Sequence, residues 1–419
     1  MLRIVCAPDS FKESMTALTA AQAMAEGIHR VQPDAVCDIV PIADGGEGTV
    51  AALVDALGGL LVDGPCHDAL GRATTGVYGY VAHEHLAVIE IAVASGLAQI
   101  APAERDPLRT TSFGVGELVR DALDRGARRF IVGLGGSATN DAGAGMSQAL
   151  GARLLDAAGD DLPAGGAALA RLARIELSGL DPRLADCHFQ IACDVDNPLL
   201  GPAGASRVFS PQKGANPHAV RELEAALTRW AEVVEATTGR RVRKVPGAGA
   251  GGGLGAGFAA LLDVSMRRGV DIVIGATRLK ERMAGAAWVF TGEGSIDGQT
   301  LHGKVPSGVA ATARAAGVGV VMFGGRVLPE AAPLLDDGVW ALVPISPASE
   351  PLSEALARGP EHLADAAEMT LRRILREGGG ASRQSELVEQ SRSTARGSHP
   401  ATDPIPVQRD GFDVGSREA

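Results

Sequence analysis

At 419 residues the chain is too long for one comfortable hydrophobic core, so two domains and a tail are expected. A net charge of −11 argues against a nucleic-acid or anionic-membrane surface, so an anionic substrate must be met by a local basic pocket. Glycine contributes 55 residues, nearly twice the average of about 7 %, so much backbone must take special dihedrals or pass close to something.

The N-terminal "MLRIVCAPDSF" holds too short an apolar run for a signal sequence, and no run reaches the length of a membrane span. Five scattered cysteines, Cys6, Cys37, Cys66, Cys187 and Cys193, form no CxxC and read as small buried hydrophobes of a reducing cytosol. His83 and His85 have no acidic or sulfur neighbour at zinc spacing and read as surface imidazoles. A cytoplasmic location is expected.

In chain order, "RIVCAPDSF" is a strand ending in polar residues, and Leu18, Ala21, Met24 and Ile28 mark a helix after it. "AVCDIVPIADGGEGT" repeats the strand, and "VAALVDAL" is a helix stopped by Gly58-Gly59. This βαβα grammar opens a parallel sheet. Further strands are expected at "YGYVAH", "LAVIEIAV", "RRFIVGLGG" and "FQIACDV". Between two of them, Ser112 is placed as the N-cap of a helix that Gly126 stops. Late in the chain "AAWVFTGEG", "VGVVMFGG" and "VWALVPIS" are strands, separated by helices that include "PSGVAATARAAG" with Pro306 in its first turn.

Two early and three late strands suit a flavodoxin-like sheet with an α/β domain inserted. The expected boundaries are 1–60 plus 286–378 for the outer domain and 61–285 for the insert. Residues 379–419 have few large apolar side chains and read as a disordered tail.

Ligands of an open parallel sheet bind beyond the carboxyl ends of its strands. Polar residues gather there: Asp9, Ser10 and Lys12 after the first strand, and Asp44, Gly45, Gly46 and Glu47 after the second. Glu293, Asp297 and Lys304 follow the first late strand, and Arg326 the next. In the middle region, "GGSATNDAGAG" offers backbone N–H groups, with Gly135, Gly136, Ser137, Thr139, Asn140 and Asp141 as candidates for holding phosphate or carboxylate. "PGAGAGGGLGAG", containing Gly251 and Gly252, is either a hinge or a backbone lying against a ligand. Asp194, Asp196 and Asn197 suit Mg²⁺ or a plain turn, with Lys213 a little further on.

Gly298 to Lys304 match a P-loop, but Val305 stands where Mg²⁺ needs a hydroxyl. The preceding strand is also expected to end at Thr291, too far upstream for a Walker loop. Lys304, just ahead of a helix, still suits an anion.

The stretches "APDSFKESMTA", "PIADGGEGTV", "GLGGSATNDAGAG", "ACDVDNPLLGPAGA", "PGAGAGGGLGAG" and "TGEGSIDGQTLHGKVPSGVA" resemble the bacterial glycerate kinase family, colinearly from about residue 2 to 376. The resemblance implies ATP-dependent phosphorylation of D-glycerate, commonly at the 2-hydroxyl. It also implies a flavodoxin-like domain carrying an inserted domain of restriction-endonuclease-like fold. The resemblance supplies motifs rather than roles; from the residues themselves, Asp44 or Asp194 is the expected base, and Lys12, Lys213 and Lys304 are expected to neutralise phosphate or carboxylate. Glu293 and Asp297 are the expected Mg²⁺ ligands. A homodimer is possible. The alternatives are a 3-phosphoglycerate product, a non-catalytic glycerate sensor, and a nicotinamide dehydrogenase. The last is opposed by "APDSFK" standing where G-x-G-x-x-G belongs.

Overall fold

The computed structural model describes residues 1–46, 48–347 and 349–377. The chain divides into a unit Met1–Arg373, which carries both large sheets, and a unit Ile374–Ala419. Within the second unit only the end of the last helix, Gly359–Arg376, and Glu377 are described, so the expected tail lies outside the described residues.

Thirteen strands are described, in chain order β1 (Arg3–Cys6), β2 (Val36–Ile39), β3 (Leu60–His67), β4 (Ala73–Val81), β5 (Leu86–Glu90), β6 (Arg129–Gly133), β7 (Arg153–Leu155), β8 (Arg174–Glu176), β9 (His188–Ala192), β10 (Val264–Arg267), β11 (Trp288–Ile296), β12 (Gly319–Val327) and β13 (Val339–Pro344). One sheet has the order β13-β12-β11-β1-β2 with every pair parallel. Two strands from the start of the chain thus lie beside three from its end, with the switch in strand order between β1 and β11. The other sheet runs β10-β9-β6-β5-β4-β3, parallel from β10 to β5 and antiparallel from β5 to β3. β7 and β8 form a separate antiparallel pair. The architecture is α/β with parallel-dominated sheets.

Strand sequences of this kind are apolar throughout because helices cover both faces of a parallel sheet. Ile4, Val5 and Cys6 of β1 and Val289 and Phe290 of β11 are all fully buried. The helix Ala17–Val31 starts where Thr16 accepts the Thr19 N–H, and it buries Ala20, Ala21, Met24 and Ile28. Helix Thr49–Leu57 ends at Gly58, whose φ of 64° only glycine adopts without strain. Val50, Leu53 and Val54 of this helix share one apolar cluster with Val5 and Val289 of the first sheet and with Val81, Val88 and Ile131 of the second. The two sheets are joined by packed core.

Ser112 precedes the helix Phe113–Asp124 as expected but does not cap it. Its hydroxyl donates instead to Asp141, because that buried carboxylate needs donors more than the helix end does.

Candidate active site

The loops after β1 and β2 and the carboxyl-terminal parts of β11 and β12 themselves, which carry Glu293 and Arg326 within the strands rather than after them, surround a cleft of about 560 Å³. Its polar wall carries Asp9, Ser10, Lys12, Asp44 and Glu293, with Lys304 and Arg326 adding positive charge. Asp9 is held by its own backbone, whose N–H donates to Gly292 O at 2.9 Å, and by the Ser10 N–H, which donates to Oδ1 at 2.6 Å. Burial pushes the Asp9 carboxyl up to about 7; the Ser10 N–H opposes this, and the charges of Asp44 and Glu293 add to it. Glu293 is 7 % exposed. Thr300 Oγ1 donates to its Oε1 at 2.8 Å, and Lys304 Nζ lies 3.4 Å from its Oε2. Burial raises the Glu293 carboxyl above its ordinary range despite both partners. For Asp297 burial is outweighed by the Gln299 N–H and the Lys304 charge, and the net direction is down.

A second cavity, of about 420 Å³, lies against the ends of β6 and β9. Gly135, Gly136 and Ser137 form one side, Gly45, Gly46 and Gly251 another, and Asp194 and Lys213 contribute charge. Lys213 is 2 % exposed and donates to Ser137 Oγ and to Thr139 O, each at 2.7 Å. Burial pulls its amine down to about 7, with the Asp141 charge opposing. Asp194 Oδ1 accepts the Gly269 N–H at 3.1 Å. Burial raises the Asp194 carboxyl, the Gly269 N–H opposes, and the charge of Asp44 adds. Asp44 itself is exposed, accepts the Gly46 N–H at 2.9 Å and lines both clefts.

Several expected site residues stand behind these walls. Thr139, Asn140 and Asp141 have no exposed surface. Asp141 gathers four donors, Ser112 N and Oγ with Gly143 N and Gly145 N, at 2.8 to 3.2 Å, and so pins the helices Phe113–Asp124 and Ala144–Ala149 together. Asn140 Nδ2 donates to Ser206 Oγ at 3.1 Å. Gly252 has φ 70°, and a Cβ on it would lie 1.9 Å from Thr139 O. Glycine at this position lets two backbones meet, while its neighbour Gly251 reaches the smaller cavity. Asp297 lies 3.9 Å from Lys304 Nζ and outside the cleft lining. Glu47 lies outside the described residues.

One expectation about the P-loop match is corrected. β11 does not stop at Thr291 but runs to Ile296, paired with β12 through Ile296↔Val327, so Gly298 begins close to the strand end. Alternating Gly292 and Gly294 concealed this extension. The motif fails for a different reason: Val305 is fully buried, and the loop folds on itself as a turn, Thr300–His302, whose Thr300 hydroxyl is spent on Glu293.

Sequence reasoning missed the far wall of the larger cleft. Ile345, Pro347, Leu352, Ala355 and Leu356 bring an apolar surface there from the end of β13 and the helix Leu352–Ala357. An amphipathic helix gives no sign of facing a ligand rather than a core.

Two clefts, one with three cations and an apolar wall, meeting at a single exposed carboxylate are the layout of a two-substrate α/β enzyme. Residues 4–375 match the glycerate kinase family. The chain is 47 % identical to glycerate kinase of Halalkalibacterium halodurans over 88 % of its own length and 97 % of that protein. It is 45 % identical to glycerate 2-kinase of Escherichia coli strain K12, covering 84 % and 93 %. A Salmonella typhimurium LT2 protein solved under the name glycerate kinase 2 superposes with a TM-score of 0.84 at 46 % identity, covering 90 % of this chain and 99 % of that one. The chain belongs to the glycerate kinase family.

Proposed function

We propose that the enzyme transfers the γ-phosphoryl group of ATP to the 2-hydroxyl of D-glycerate, with the phosphoryl group crossing beside Asp44. The observation carrying this reading is that Asp44 lines both clefts. ATP takes the larger one. Lys12, Lys304 and Arg326 face its phosphates, and the wall of Ile345, Leu352 and Leu356 accepts the base. Glycerate takes the smaller one, its carboxylate met by the backbone of Gly135–Ser137 and the Lys213 charge. Asp44 accepts the hydroxyl proton, and Asp194, committed to Gly269, orients the loop.

Phosphoryl transfer is mostly positioning and charge neutralisation, which suits glycine loops and a few cations. Among the described residues no three His, Cys, Asp or Glu side chains stand together as a complete metal site. Mg²⁺ in kinases, however, takes one or two carboxylates and completes its shell with phosphates and water. The raised Asp9 carboxyl, crowded by Asp44 and Glu293, is a donor set that a divalent cation would relieve. Glu293 and Asp9 would hold it, with Asp297 steadying Lys304 from behind. The ion would neutralise charge on the transferring phosphates. The enzyme is read as cytoplasmic, and no helix among the described residues is long and apolar enough to cross a membrane.

The test is ATP consumption with D-glycerate, with lactate and with no acceptor, and phosphorus NMR of the product. ADP release should require D-glycerate and give 2-phosphoglycerate. Asp44→Asn should lower kcat by about 10²–10⁴, the usual contribution of a positioned base. Full activity in Asp44→Asn, or a 3-phosphoglycerate product, would overturn the corresponding part.

A further inference from the structure

The Asp44 loop follows β2 of the five-stranded sheet, yet it is held by the ends of β6 and β9 of the six-stranded one and by Gly269, the first residue of the helix Gly269–Ala276 that follows β10. A Cβ on Gly133, at the end of β6, would lie 2.5 Å from Gly45 O. One on Gly45 would lie 2.8 Å from Ala192 Cβ at the end of β9 and 2.7 Å from Gly269 Cα. One on Gly269 would lie 1.8 Å from Asp44 O. At Gly45 the loop backbone therefore passes between these elements with no room for a side chain.

The loop's other end is the start of the helix Thr49–Leu57. Its N-cap, Gly48, has φ 90° and no side chain to offer the first-turn N–H groups. The acceptor comes from elsewhere: Glu90, the last residue of β5, takes the Val50 N–H on Oε1 at 3.0 Å. A carboxylate there both satisfies an orphaned donor and meets the positive end of the helix dipole. The same helix lies flat on this sheet, where a Cβ on Gly79 of β4 would lie 2.6 Å from Val54 Cγ2 and 3.4 Å from Val50 Cγ1. Glu90 lines neither cleft.

We propose that Glu90 is a positioning residue for Asp44: by fixing where the helix begins, it fixes where the loop before it places its carboxylate between the two substrates. This rests on the reading of Asp44 given under Proposed function. Glutamate has the reach from the end of β5; aspartate, one methylene shorter, does not.

The test compares Glu90→Leu, Glu90→Asp and Glu90→Gln in the full chain. Leu removes acceptor and charge at similar volume, Asp withdraws the acceptor while keeping the charge, and Gln keeps the carbonyl acceptor. Misplacing a reacting group by about 1 Å costs on the order of 10²-fold. Leu and Asp should each lower kcat roughly 10- to 100-fold with KM for both substrates within about threefold, and Gln should restore kcat to within about threefold. In the Asp44→Asn background the Glu90→Leu change should cost little more, because its effect passes through a side chain already disabled. Should Glu90→Leu fail to fold, Asp against Gln carries the same comparison. Wild-type kcat in Glu90→Asp, or losses that multiply with Asp44→Asn, would overturn the proposal. If Asp44→Asn itself keeps full activity, it is the reading of Asp44 that fails; if Asp44→Asn is inactive while every Glu90 variant is normal, only the role of Glu90 fails.

Discussion

Lys304 Nζ and Glu293 Oε2 stand 3.4 Å apart, the cation one-third exposed and the carboxylate nearly sealed. A buried carboxylate with a single cationic partner depends on it, so the pair couples fold and chemistry. Lys304→Met should lower kcat by about 10²–10³, the usual cost of losing one preorganised charge. It should also lower the melting temperature, since among the described residues Glu293 then keeps the Thr300 hydroxyl alone. Steady-state kinetics and thermal melting check both. Near-normal kcat and KM for both substrates would remove Lys304 from the site.

Arg326 tells which cleft takes which substrate. Its Nε donates to Ser295 Oγ at 3.1 Å, which aims a planar cation along the wall of the larger cleft. With ATP there, Arg326→Met should raise the KM for ATP about tenfold, the loss of a charge-assisted hydrogen bond, and leave that for glycerate within about twofold. The reverse pattern would exchange the two substrates between the clefts.

Lys213 predicts a pH dependence whose sign follows from burial. An unfolded lysine titrates near 10.4, whereas this one is pulled down to about 7. Between those values the unfolded chain binds a proton that the native one lacks, so this group makes stability rise with pH, by up to about 1.4 kcal/mol per unit. Below pH 7 both states bind the proton and the slope vanishes. Urea unfolding of wild type and Lys213→Met at pH 6.5, 7.5 and 8.5 should show the wild type gaining on the variant as pH rises. A flat difference would mean that the native amine titrates normally. The ammonium form is also the one that meets a carboxylate, so wild-type kcat/KM for glycerate should fall above pH 7.

How far the sequence discloses the site depends on the kind of residue. Asp9, Asp44, Glu293 and Lys304 are legible because polar residues at successive strand ends have few structural reasons to gather there, and all four line one cleft. Asp141 and Asn140 look the same in sequence yet are buried, because a glycine-rich strand-to-helix turn needs internal acceptors as much as a ligand does. β3 and β10 carry little strand signal in the sequence. Gly64 and Pro65 interrupt β3, which an edge strand tolerates, and β10 has four residues that are no more apolar than a loop. The clamp on the Asp44 loop was out of reach altogether, since Gly133, Ala192 and Gly269 meet Gly45 only through the fold.

Val305 decides the P-loop question by experiment. It opens the helix Val305–Ala316 directly after Lys304, packs in the core shared by the two sheets and has no exposed surface. Val305→Thr completes the Walker pattern at nearly constant volume, but the new hydroxyl enters apolar surroundings instead of reaching a phosphate-bound cation. Burying an unpaired hydroxyl costs about 1–3 kcal/mol in proteins, so the melting temperature should fall by several degrees. No gain in kcat or in affinity for ATP should accompany it, because the Thr300 turn and its bond to Glu293 keep the loop backbone from wrapping phosphates. A rise in activity with unchanged stability would show that the loop closes around the nucleotide after all, and would move the phosphate site from the strand-end cations to the turn itself.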